Sequence, residues 1–579
     1  MIQTTPSAYV LFDQKKMTLQ LDKSNIAPEL YVQFTKEKID ERTTRFIIWI
    51  HPKQDIVIKA VSLDFAVPFA ENDTFFCNGF QTWTESKNYN FKQKLDNLMP
   101  ISRFLMKNCG DYHLNIVKPF RQKGALHAWT YSQLNTAQQN IFIGSLNETN
   151  GFTLIGADLK KQQISVRKDI ENLHLSHSFC ALDVLVVENA PPPVSSQIFD
   201  AYFKQYYQNT ETKPIQTRPM TGWTSWYLHY QNISETILRK NLTAFETQNL
   251  PIDVFQIDDG WQTAVGDWLS IDGKKFPNGL KNLATDIKKT ALAGLWISPF
   301  IVASNSRIFA EKPNWLLRDA AGKLVKAGFA PHWSGWKKPF FYVLDFYNKD
   351  VQDYLAAVFH TALQKWGFDM LKLDFLYAVC IEPRPNKTRG QIMHDAMQFV
   401  RQHCGEKVVL ACGVPLASAF GLVEFARIGA DIHLRWEHKL LRSFRHRERV
   451  STIVALRTAV GRWQLNGRAF ASDTDVFLLR KENIHLSDDE KYTVFVLNCL
   501  LGKLLFTSDD VDSYDEKTMN LYKKIFDFKD SIVETVSEFP ADFITIKGTL
   551  RDQKFEAKSN LADHAQQGLK PHETIFSII

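Results

Sequence analysis

The sequence predicts a central (β/α)8 TIM barrel, with an antiparallel β-sandwich before it and a small antiparallel β domain after it. Three observations carry that expectation. A chain of 579 residues exceeds what one hydrophobic core serves. From about residue 215, short apolar runs alternate with segments of helical spacing over roughly 290 residues, the pattern of a parallel α/β barrel. The stretches on either side read as short strands separated by clusters of Asn, Asp and Gly. The expected domains are 1–205, 206–510 and 511–579.

In the first part, Val61, Leu63, Phe65 and Val67 alternate with less apolar residues, and 45–51 and 182–187 are short β-rich runs. The run Cys77-Asn-Gly-Phe-Gln-Thr-Trp83 stands out as an aromatic, polar loop, or equally as a turn with a core Trp. Pro191-Pro192-Pro193 marks a stiff boundary. In the barrel region, 220–226 is a candidate strand. Asn232 and Glu235 form a capping-box-like start, and Leu238, Leu242 and Phe245 follow at helical spacing. Residues 252–257 read as a strand ending in Asp258-Asp259-Gly260-Trp261, with a helix at about 280–290 and a third strand at 293–297. A further strand is expected at 341–344, ending at Asp345. Asn348 caps the next helix, Val351, Leu355, Val358 and Ala362 share one face of it, and Gly367 stops it. A helix at 389–403, a strand at 407–412 and a short strand at 426–429 leading to Asp431 continue the alternation. Beyond about 509, a helix near 516–530 and β-like runs such as 543–547 predict the last domain. There is no internal repeat of solenoid period and no low-complexity segment.

Composition removes several function classes. Hydrophobic residues make up 45% and charged residues 23%, ordinary for a soluble globular protein. A net charge of +6 spread over this length does not suggest nucleic acid. The one basic cluster, 435–449, is interleaved with Glu437, Glu448 and apolar residues, and reads as a solvated helix face. No run of 18 apolar residues predicts a membrane helix. Seven scattered Cys without a C-x-x-C pair, and residues 1–15 without an apolar core after a basic start, lead to the expectation of reduced thiols and a cytoplasmic location. The aromatic content of 13%, with 14 Trp, suits sugar stacking but suits a large core as well. Oligomeric state is not readable.

The stretch 368–377 organises the rest. Met370, Leu371, Leu373 and Phe375 form an apolar run that Lys372 and Asp374 interrupt near its end. Charges at i and i+2 share one face of a strand. A buried charge is costly unless it is paired or used, so this is a structural ion pair or a working site at the C-terminal end of a barrel strand. Asp258, Asp259, Asp374 and Asp431 all fall at or just after strand ends. Such carboxylates could bind a hard divalent cation or perform acid/base and nucleophilic work on a glycoside. Lys372 beside Asp374 and Arg427 near Asp431 weigh against a cation, since fixed positive charge opposes one. No H-E-x-x-H and no Walker loop is present, and no metal or other cofactor is expected. Asp258-Asp259 before Gly260 could instead be a turn or a helix cap.

Gly222-Trp-Thr-Ser-Trp226, Asp258-Asp-Gly-Trp261, Gly266-Asp-Trp268, Phe276-Pro277, Gly294-Leu-Trp296, Lys372-Leu-Asp374, Cys412-Gly413 and Arg427-Ile-Gly-Ala-Asp431 follow one another in an order that resembles glycoside hydrolase family 36. Those enzymes are mostly α-galactosidases. The resemblance covers about 79–510. It implies an N-terminal β-supersandwich, a catalytic barrel and a C-terminal β domain. It implies Asp374 as nucleophile and Asp431 as general acid/base of a retaining, exo-acting mechanism. Asp258 and Asp259 would hold the galactose 4- and 6-hydroxyls, and Lys372 and Arg427 would bind ring hydroxyls and the surroundings of the nucleophile. Trp296 and Cys412 would shape the pocket, and Trp83 would be an aromatic lent to it by the N-terminal domain. The expected partner is a small α-galactoside. An α-N-acetylgalactosaminidase, an α-galactosyltransferase and a non-catalytic sugar-binding protein stay open. Ile297-Ser-Pro-Phe300 and the aromatic segment 330–337 depart from the family pattern and put the leaving-group preference in doubt.

Overall fold

Eight short, almost wholly buried strands close into a parallel barrel in the computed structural model, which describes residues 6–189 and 196–579. They are β1 (Met220–Thr224), β2 (Val254–Ile257), β3 (Leu292–Ile297), β4 (Met370–Leu373), β5 (Val408–Ala411), β6 (Phe425–Arg427), β7 (Ala471–Phe477) and β8 (Leu504–Thr507). All neighbours pair parallel. Closure is made by β1 on β8, with Met220 opposite Leu504 and Thr221 opposite Leu505. Strands covered on both faces need no polar alternation, which is why β2, β4 and β8 read as nearly unbroken apolar runs. A parallel barrel directs its strand C-termini to one mouth.

The helix after β1, Glu235–Thr247, buries Leu238, Leu242 and Phe245. Its cap is Ser234, whose hydroxyl accepts from the Ile237 N–H, and not Asn232 as the spacing suggested. Asn348 does cap Lys349–His360. The run at 341–344 lies outside the barrel. Phe340–Val343 pairs antiparallel with Ile301–Ala303 and Lys326–Phe329 in a three-stranded sheet. An apolar run of four residues carries no record of its pairing partner, so sequence could not separate this strand from the barrel. β7 and β8 were not anticipated.

Before the barrel lie a seven-stranded and an eight-stranded antiparallel sheet. Their inner faces share one core, with Leu63, Phe65 and Val166 from one sheet and Phe34, Ile48 and Val184 from the other. A second core is continuous with the barrel, where Phe80, Trp129 and Phe152 join Phe255, Leu371 and Val409. The triple proline at 191–193 lies outside the described residues. After the barrel, Ile532–Glu538, Phe543–Leu550, Gln553–Asn560 and Thr574–Ile578 form a four-stranded antiparallel sheet.

The basic stretch 435–449 is not a solvated helix face. Only Lys439–Ser443 is helical in it. His446, Arg447, Glu448 and Arg449 are buried, Arg447 against Asp111 and Arg449 on Glu437 at 2.9 Å. The acid that neutralises Arg447 sits more than three hundred residues away, beyond the reach of local patterning. Among the described residues no helix is long and apolar enough to cross a membrane, and all seven Cys are free.

Candidate active site

β4 ends with Lys372 and hands on directly to Asp374, whose N–H still bonds the Ile297 carbonyl of β3. Asp374 accepts from the Trp296 indole on Oδ2 and from the Phe375 N–H on Oδ1, both at 2.9 Å. Burial pushes its carboxyl up, Lys372 and Trp296 pull it back, and Asp431 and Asp258 push it up again. Lys372 makes its salt bridge with Asp258, at 2.8 Å, and none with Asp374. It therefore reaches across to β2, acting on Asp374 through space. Burial would lower the Lys372 pKa, but Asp258, with Asp374 and Cys412 adding to it, outweighs burial and the amine is held well above its ordinary value.

Asp258 and Asp259 follow β2 and face different partners. Asp258 takes the Gln256 amide at 2.7 Å and Lys372 on one oxygen, and the Asp259 N–H on the other. Asp259 takes Gln262 at 2.6 Å, and Gln231 and the Trp333 indole at 2.8 Å each. Burial pushes the Asp259 carboxyl up to about 6, although those three donors favour its ionised form. Gly260, at φ 118°, lets the chain pass Gln231, whose carbonyl oxygen a Cβ would meet at 2.7 Å. Neither Asp258 nor Asp259 caps a helix in this fold.

Cys412 follows β5, and its sulfur accepts from the Trp83 indole at 3.2 Å. Trp83 packs edge-on against Phe375 at 5.1 Å and Tyr377 at 5.9 Å, so the loop from the N-terminal part reaches the mouth of the barrel. Gly413, at φ 64°, leaves room for that indole, which would lie 3.0 Å from a Cβ. The loop is clamped from below by Arg462, which is 0% exposed. Its guanidinium donates to Asn78 Oδ1, to the Gly79, Gln81 and Thr82 carbonyls, and to the Ile428 carbonyl behind β6.

Arg427 ends β6 and is shared by three carboxylates: Asp431 at 2.6 Å, Asp475 at 2.8 Å and Asp473 at 3.1 Å. Burial opposes its charge, yet Asp475 and Asp473 hold it well above the ordinary value. Asp431 alone of this group is open, its side chain 34% exposed. The geometry therefore brings all nine expected residues to one mouth, with Trp83 reaching it from another sheet system. Sequence reasoning missed Gln231, Gln262, Arg462, Tyr227, Asp473 and Asp475, and it singled out the segment 330–337 without giving Trp333 a place beside Asp259. The Asp473-Thr-Asp475 pair sits in the polar stretch 472–475 of β7, which hid the strand itself. Among the described residues no group of three or more His, Cys, Asp or Glu is arranged to hold a metal ion.

Residues 195–400 match the Melibiase family model. Over 163 residues the chain is 28% identical to α-galactosidase AgaA of Geobacillus stearothermophilus, a match covering 27% of this chain and 20% of the relative. The matched segment thus spans about a fifth of that curated relative's length. An α-galactosidase from Thermus thermophilus, solved with p-nitrophenyl α-D-galactopyranoside, superposes with a TM-score of 0.68 at 24% identity, covering 95% of this chain and 98% of that one. The family 36 α-galactosidase AgaA of G. stearothermophilus gives 0.63 at 13% identity, covering 98% and 82%. The resemblance read from the motifs is met by both comparisons: the chain carries a Melibiase domain at residues 195–400, on the fold of the family 36 α-galactosidases.

Proposed function

We propose that the protein is an exo-acting, retaining α-galactosidase, with domains close to 1–205, 206–510 and 511–579. The observation that carries this reading is Asp374: a buried carboxylate at a barrel strand end, oriented by Trp296 and Phe375, with the half-open Asp431 across the mouth. In the first step an Asp374 oxygen attacks the anomeric carbon while Asp431 gives its proton to the departing glycosidic oxygen. In the second, water attacks that carbon, Asp431 takes the water proton, and the bond to Asp374 breaks. Asp258 and Asp259 accept sugar hydroxyls, and the Trp296 and Trp83 indoles supply apolar faces. Three of the four lone-pair positions of Asp259 are already used, leaving room for one hydroxyl.

A panel of aryl α-glycosides tests the substrate, with fastest turnover expected on the α-galactoside. Preference for the N-acetylgalactosaminide, or transfer exceeding hydrolysis, would select the alternatives on the same barrel. Absence of turnover would leave sugar binding alone, and loss of activity in EDTA would return the site to a metal. Asp374→Ala should fold, lose more than about 95% of kcat, and regain activity with azide while forming the β-galactosyl azide. Retained kcat would remove Asp374 from the role of nucleophile. Seven free thiols, six of them buried, support a reducing compartment such as the cytoplasm.

A further inference from the structure

We propose that Asp475 is the positioning residue for Asp431: it ties down the turn that carries Asp431 and takes part of the Arg427 charge, so that Arg427 is not committed to Asp431 alone. The inference rests on the proposed role of Asp431 as general acid. A general acid must hold a proton at the start of each cycle, and a guanidinium 2.6 Å away works against that. Asp475 offsets the conflict.

The backbone is bent to put it there. The register of β7 on β8 shifts between Asp473 and Val476, and Asp475 takes φ 75°, a left-handed conformation that a non-glycine residue adopts at a cost. The Asp475 N–H is held by Asp473 Oδ1 at 2.8 Å. On the side chain, Oδ2 accepts from the Ile432 N–H at 2.8 Å, the residue directly after Asp431, and from the Tyr227 hydroxyl. Oδ1 faces Arg427 at 2.8 Å. Asp475 is buried with both oxygens turned to protein groups, Oδ2 to Ile432 and Tyr227 and Oδ1 to Arg427, so it acts through those groups. The groups facing it are Arg427 from β6, Asp431 from the following turn, Asp473 from its own strand and Tyr227 from the Trp226–His229 helix. Three carboxylates share one cation. Burial, outweighing Arg427, pushes the Asp475 carboxyl up to about 7.

Asp475→Asn keeps the shape and, above about pH 7 where Asp475 is ionised, removes one negative charge beside Asp431. Arg427 then bears more fully on Asp431, which releases its proton at lower pH. The alkaline limb of kcat/KM on an alkyl α-galactoside should move down by about 0.5–1 pH unit. With a dinitrophenyl galactoside, whose departure needs no proton, first-step rates should barely respond. A purely structural role would lower melting temperature and kcat on both substrates with the limb unmoved, and that result overturns the inference. Should Asp475→Asn fail to fold, Tyr227→Phe carries the test. It removes one donor from Asp475, favours the proton there, and should move the same limb down by a smaller step; an unmoved limb counts against the inference equally. Asp431→Ala on the same two substrates isolates the underlying assignment. If it slows the first step on both alike, the role of Asp431 falls by itself. If it spares the dinitrophenyl substrate and the Asp475 variants leave the limb in place, only the inference about Asp475 falls.

Discussion

Replacing Arg462 with Met should detach the Trp83 loop from the barrel. Arg462 is wholly buried, makes five hydrogen bonds, and none of its acceptors is a carboxylate. Burial pulls its pKa down to about 10, so the side chain is still charged at neutral pH. Met fills much of the volume but leaves four carbonyls and the Asn78 amide oxygen without their donor. Each buried acceptor so orphaned costs about 1–3 kcal/mol. The costs do not add, and the five orphaned acceptors together cost about 3–5 kcal/mol. That corresponds to a melting temperature lower by roughly 10 °C. Arg462→Lys keeps the charge but has three donors for five acceptors, and should fall between. Because four of the five acceptors lie in 78–82 and the fifth is Ile428, behind the turn to Asp431, kcat/KM should drop on the order of tenfold or more from misplacement. Urea unfolding of the three proteins, with kcat/KM measured below the transition, checks this. An Arg462→Met protein that melts within about 2 °C of wild type, or that loses stability with kcat/KM intact, would refute the clamp.

Asp259 and Trp296 give two further expectations. The Asp259 carboxyl rises from 3.8 to about 6 in the fold, so between those values the native protein holds more protons than the unfolded chain and loses stability as pH rises. Its ionised form is the one that accepts a hydroxyl, so galactose affinity should weaken below about pH 6. Asp259→Asn should flatten both trends while weakening binding by about 10–100-fold, read by calorimetric titration against pH. Trp296→Phe removes a donor from the ionised form of Asp374. The nucleophile must be deprotonated, so the acid limb of kcat/KM should move to higher pH by about 1 unit, and an unmoved limb would detach Trp296 from this role.

Much of this site was legible because its chemistry is written at strand ends. Asp258-Asp259, Lys372, Asp374, Arg427 and Asp431 are charges placed where apolar runs stop, and a charge there needs a reason. The barrel was legible up to β6 through alternation of strand and helix. β7 was hidden because Ala471–Phe477 contains Ser472, Asp473, Thr474 and Asp475, and reads as polar. Phe340–Val343 was misplaced because pairing is a non-local property. The same limit explains the partners: Lys372 bonds Asp258 rather than its neighbour Asp374, and Arg447 finds Asp111. Arg462, in a stretch without motif, gave no signal at all, since its five acceptors are assembled only by folding.

The most direct test of the central claim is the anomer first released. Proton NMR during turnover of an aryl α-galactoside, recorded before mutarotation, should show α-galactose, because a covalent bond to Asp374 inverts the anomeric carbon once and water inverts it again. β-Galactose appearing first would mean a single displacement, no glycosyl-enzyme, and a role for Asp374 other than nucleophile.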